Sequence, residues 1–161
     1  MKKLYEQVNR FIEVFLVIIF GLLVLDVLWQ VISRYLVGRS SSFTEEFARF
    51  ALIWLSILGA AYLNGQRAHL SIDFWIKKLP LGQQRKRKVV IESMMLLFAL
   101  VIMVIGGGNL VYLTLSLGQK SSVLDVPLGL VYAIVPFSGV LIIFYSLYHI
   151  LHPQEEVDAK A

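Results

Sequence analysis

Four long apolar runs, separated by short polar stretches, set the pattern of this chain. They cover about 11–37, 43–63, 89–117 and 127–151. Crossing ~30 Å of hydrocarbon as a helix takes about 20 residues, or somewhat more when the helix tilts. Each run meets that length. The pattern predicts an all-α integral membrane protein with four transmembrane helices, residues 1–161 forming a single membrane domain. Residues 1–10 read as a short polar segment ahead of the first span. Lys2-Lys3 before an apolar run suits a secretory leader, but the run is too long and no small-residue cleavage site follows it. An uncleaved first span is expected.

The polar stretch between the second and third runs, 64–88, has a pattern of its own. Ile72, Trp75, Ile76 and Leu79 recur at i, i+3, i+4, i+7, while His69, Asp73 and Lys77 share another face. This predicts a short amphipathic interfacial helix over about 69–79, ended by Pro80. Trp75 would sit at headgroup depth, with Lys77 and Lys78 toward lipid phosphates. Leu81 to Lys88 reads as the end of that loop, with the basic run Arg85-Lys86-Arg87-Lys88. Gly38 suits the end of the first helix. Ser42 followed by Glu45 matches a capping box, and both Glu45 and Glu46 fall at the positive end of the next helix dipole. Gly106-Gly107-Gly108 predicts a bend or close helix contact in the third span. Pro127 suits a helix start, and Pro136 predicts a kink in the fourth span. Residues 152–161 form a polar tail.

Composition strengthens this picture. The chain is 58% hydrophobic and 16% charged, with a mean hydropathy of +0.73. Soluble domains carry roughly a quarter charged residues. The absence of cysteine removes disulfides and thiolate chemistry. Of the 15 lysines and arginines, only Arg34, Arg39, Arg49 and Lys120 fall on the side opposite the termini and the 64–88 loop. The positive-inside bias then places both termini in the cytoplasm.

Candidate chemistry is sparse. Asp26, Gln30 and Arg34 form one stripe at i, i+4, i+8 on the first span. An acid at that depth serves a proton- or sodium-coupled carrier, or it fastens a neighbouring helix. Arg49 lies further into the second span than capping explains and calls for a carboxylate, either Asp26 or Glu45 or a group on a partner. His149 and His152 lack a third ligand for a metal. There is no nucleophile elbow, HExxH or phosphate-cradling loop, so no enzyme is expected. The basic run has no interleaved aromatics and abuts a span, which favours contact with lipid over nucleic acid. The two halves show no internal repeat, unlike a carrier that works alone.

Taken together, these residues resemble the small membrane subunit, DctQ-like, of tripartite ATP-independent periplasmic (TRAP) transporters. The resemblance rests on Arg34-Tyr35, then Ser42-Phe43-Thr44-Glu45-Glu46-Phe47-Ala48-Arg49-Phe50, Trp54, and Leu58-Gly59-Ala60-Ala61. It continues with His69-Leu70-Ser71-Ile72-Asp73, Val126-Pro127, Tyr132 and Pro136. It implies a four-span subunit of the bacterial inner membrane that holds no cofactor. Its expected partners are a large DctM/SiaM-like membrane subunit, which carries the sodium and substrate sites, and a periplasmic substrate-binding protein. The expected cargo is an organic acid, a C4-dicarboxylate or a sugar acid such as sialic acid. The chain would enlarge the fixed scaffold against which the large subunit moves. Glu45, Glu46, Arg49 and Asp26 are then the candidate subunit-assembly charges. Arg34 and Arg39 are candidate docking contacts for the binding protein, and His69, Asp73, Trp75, Lys77 and Lys78 form the interfacial anchor. The alternative is an autonomous small channel or proton-coupled carrier centred on Asp26.

Overall fold

Backbone N–H and C=O groups have no water to bond in hydrocarbon, so an apolar run resolves them within its own helix. The computed structural model follows this rule. It describes residues 2–36, 38, 42–66 and 81–151. Seven segments follow in order: α1 (Lys2–Leu36), α2 (Ser42–Gly65), α3 (Leu81–Phe98), a π-helical segment (Ala99–Gly106), α4 (Gly107–Ser116), α5 (Leu128–Tyr132) and α6 (Ile134–Leu151). Four helical stretches are long and apolar enough to cross a membrane: Lys3–Leu36, Ser42–Gly65, Val89–Ser116 and Leu128–Leu151. The expected interfacial helix, with His69, Asp73, Trp75, Lys77 and Lys78, lies outside the described residues, as do Arg39, His152 and the tail.

Two expectations need correcting. Residues 2–10 are not a separate polar segment, because α1 runs unbroken from Lys2; polar side chains do not prevent a helix from extending beyond the lipid. Residues 81–88 are helical and belong to α3, not to a loop. Lysine, arginine and glutamine are good helix formers, so the basic run continues the third span's helix. The irregular winding of the third span, Ala99–Gly106, ends on the first glycine of the triplet. The fourth span, Leu128–Leu151, is interrupted at Ala133 between α5 and α6, just before Pro136. Pro136 has no N–H to give the carbonyl of Tyr132, four residues back, and the ladder lapses there.

Packing runs α1 against α2, α2 against α6, and α6 against α3 and the π segment, while α4 carries α5. The α2 seam is regular: Thr44, Ala51, Leu58 and Gly65 are buried at intervals of seven, with Ala61 between the last two. Seven-residue spacing keeps one face turned toward a partner. On α1 the matching line is Tyr5, Val8, Ile12, Phe15, Leu16, then Asp26 and Gln30, and finally buried Ser33. Ile12, Leu58, Ile134 and Tyr145 form the core where these helices meet.

Close approach on the other side of α6 depends on glycine. A Cβ at Gly139 would come within 2.7 Å of Met103 Cβ and 3.3 Å of the Ala99 carbonyl oxygen. One at Gly107 would come within 2.8 Å of Val135 Cγ1 and 3.1 Å of Pro136 Cδ. Gly107 thus makes the helix contact expected of the triplet, whereas a Cβ at Gly108 would meet nothing within 4 Å. Ser138 and Ser146 are fully buried on α6, where their small size lets the neighbouring helices close in.

Candidate functional site: polar ties at the two ends of the bundle

Most of the polar side-chain ties gather at the two ends of the bundle. At the end formed by the α1–α2 turn, Gln30 spends both amide protons. Its Nε2 donates to Asp26 Oδ2 at 2.6 Å and to the Thr44 carbonyl at 3.1 Å. Asp26 is therefore linked through Gln30 to the first turn of α2. Ser33 Oγ donates back to the Gln30 carbonyl at 3.1 Å. A half-buried acid paired in this way fastens two helices together.

Glu46, one turn into α2, reaches across to the loop between α4 and α5. Its Oε2 accepts the backbone N–H of Val123 at 3.0 Å and of Leu124 at 2.9 Å. The loop is closed upon itself as well. Ser121 N–H donates to the Val126 carbonyl and Leu128 N–H to the Gln119 carbonyl, and Lys120 bridges Pro127 in antiparallel fashion. Lys120 Nζ pairs with Asp125 Oδ2 at 3.1 Å on the exposed rim. Asp125 has φ +54°, a left-handed conformation that aspartate tolerates better than most residues. One carboxylate on α2 thus holds the hairpin that starts the fourth span.

At the opposite end, Tyr5 Oη donates to the Gly65 carbonyl at 2.7 Å and Tyr145 Oη donates to Asn9 Oδ1 at 2.7 Å. Tyr5 also stacks on Tyr148, with ring centroids 4.5 Å apart. His149 Nδ1 lies 3.2 Å from Glu92 Oε1, both side chains being largely covered. This contact joins α6 to α3 and gives His149 a role other than metal binding. Among the described residues no three His, Asp or Glu side chains cluster as a metal site. Between the two ends, Trp54 Nε1 donates to the Val131 carbonyl at 3.0 Å and ties α2 to α5.

The candidate charges therefore separate. Asp26 and Glu46 act inside the chain. Glu45 lies in the first turn of α2. Arg49 is exposed, and neither Asp26 nor Glu45 pairs with it; among the described residues it makes no hydrogen bond or ion pair. Arg34 is exposed near the end of α1. Sequence reasoning missed the contacts of Glu46, Trp54, Tyr145 and Glu92.

A four-span bundle braced in this way, with no catalytic or metal constellation among its described residues, agrees with what the chain is similar to. The family model for the DctQ component of tripartite ATP-independent periplasmic transporters matches residues 23–155. A Haemophilus influenzae protein described as a TRAP transporter small permease is 29% identical over 142 residues, covering 88% of this chain and 86% of that protein. A second protein of the same description and organism is 22% identical over 158 residues, covering 98% and 94%. The Vibrio cholerae sialic acid TRAP transporter small permease SiaQ is 29% identical over 80 residues, covering 50% and 46%. The chain belongs to the DctQ family of TRAP transporters: it is a multi-pass inner-membrane small permease subunit, not an enzyme.

Proposed function

We propose that this subunit is a stationary brace that moves no solute itself. It pairs with a large membrane subunit that holds the sodium and substrate sites. A periplasmic binding protein delivers an organic acid to that pair, either a C4-dicarboxylate or a sugar acid such as sialic acid. The observation that carries this reading is the placement of Asp26. A carrier acid must exchange its proton or ion with water on both sides. Asp26 instead faces the α1–α2 seam and holds Gln30, which holds the Thr44 carbonyl. The relatives described as small permeases support the same assignment.

Reconstitution tests it. The purified chain in sodium-loaded liposomes passes no organic acid, and uptake appears when the large subunit and binding protein are added. Sodium-driven flux through the chain alone, abolished by Asp26→Asn, would replace the brace with an autonomous carrier. The brace has both termini in the cytoplasm. Because the chain contains no cysteine, single cysteines placed near each terminus report their side directly by labelling with an impermeant maleimide. Arg34 and Arg39 serve the binding protein as docking contacts. Charge reversal at Arg39 then weakens its association, and unchanged affinity removes that role.

A further inference from the structure

The second span presents two faces, and the described residues of this chain cover only one of them. The inner face carries Thr44, Ala51, Leu58, Ala61 and Gly65. On the outer face Arg49, Leu52, Ser56, Gly59 and Leu63 recur at alternating steps of three and four, the spacing of a helix–helix seam. Arg49, Leu52, Ser56 and Leu63 are exposed, and Ala60 is exposed beside them. A Cβ at Gly59 would meet nothing within 4 Å.

Three independent features show that lipid is the wrong cover for this face. Arg49 lies seven residues into the helix, about 10 Å along its axis, and it has no polar partner among the described residues. Ser56 and Ala60 are a small-residue pair four apart, flanking an open glycine, which lets a second backbone approach closely. Finally, the second span is the least apolar of the four, and 11% of its most apolar stretch is buried among the described residues, against 39% in the fourth span. A weakly apolar span is one that protein shields from hydrocarbon. The exposed face of α1 makes the contrast, since from Val14 to Ile32 every exposed residue is apolar or glycine. The exposed face of the third span is apolar from Met94 to Ile105, with polar Asn109, Tyr112 and Ser116 toward its end.

We propose that the Arg49–Leu63 face of α2 seats a transmembrane helix of the large membrane subunit. That helix passes close over Gly59 and brings a carboxylate to Arg49. The proposal rests on the brace reading above and adds the face by which the brace attaches. An apolar helix would leave the guanidinium unpaired, so the charge selects an acidic partner, and the small residues select a close one. Asp26 and Glu46, both engaged within the chain, take no part in this contact.

The test uses the small and large subunits co-expressed and purified as a complex. Single cysteines at Ser56, Leu63 or, as control, Leu25 on α1 are labelled with a short photoactivatable maleimide. Illumination yields an adduct with the large subunit from positions 56 and 63, and only lipid adducts from position 25. The reverse pattern overturns the proposal, as does an adduct between two copies of this chain. In parallel, Arg49→Glu lowers the large subunit recovered per small subunit tenfold or more, and Arg49→Lys retains a substantial part of it. Gly59→Leu also lowers recovery, while the isolated chain keeps its thermal midpoint because the site is open within it. Wild-type recovery in all three variants would mean that Arg49 only reaches for lipid headgroups, and the proposal falls. If the wild-type chain itself recovers no large subunit, the brace reading fails first and this inference falls with it.

Discussion

The first and last spans of this protein stand at opposite extremes. In the first, 6% of the most apolar stretch is buried inside the chain; in the last, 39%. Yet the first is the more apolar of the two. In a water-soluble protein the order would reverse, because apolar surface hides from water. In a membrane the lipid is as apolar as leucine, so hydrophobicity does not drive a helix into the bundle. What draws α6 to the centre is its small and polar inventory: Gly139, Ser138, Ser146, Tyr145 and His149 are all buried. What keeps α1 at the edge is a continuous outer coat of Val, Leu, Ile and Phe.

One substitution made at two places gives the largest contrast. Gly139→Ala puts a methyl within 2.7 Å of Met103 Cβ and 3.0 Å of Val104 Cγ2, with the Ala99 carbonyl behind them. Overpacking of this kind costs about 1–3 kcal/mol, read as a lowered unfolding midpoint in detergent or bicelles. A smaller loss follows from Tyr145→Phe, which removes the 2.7 Å bond to Asn9 and leaves that amide oxygen unpaired. It costs about 1 kcal/mol in the same measurement. Gly21→Ala on α1 is the smallest effect, since nothing lies within 4 Å of the added methyl. It leaves stability unchanged or raises it by up to about 1 kcal/mol, as helix interiors prefer alanine. Equal losses at Gly21 and Gly139 would mean the two spans are equally covered, and the contrast between edge and centre would be lost.

The spans themselves were legible. The boundaries read from hydropathy at 43–63, 89–117 and 127–151 differ from the membrane-crossing stretches by two residues or fewer. The misplaced boundaries were at Lys2 and Leu81, where polar side chains hid helices that continue outside the lipid. The site was far less legible. Trp54 and the Val131 carbonyl are 77 residues apart, and Asn9 and Tyr145 are 136 apart. No local pattern links such pairs, because each depends on how two helices meet. Arg49 shows the same limit from the other side. The sequence marked it as needing a carboxylate, and only the fold revealed that neither acid considered for it within the chain provides one.

Length and apolarity alone determined four membrane-crossing helices, since hydrocarbon forces each backbone to satisfy its own hydrogen bonds. The tertiary structure decided which helix is central, which polar groups are consumed as internal ties, and which face of α2 remains to be covered. Those outcomes rest on shape and on pairing across distant segments, where glycines permit contact and each donor takes the acceptor that packing brings to it.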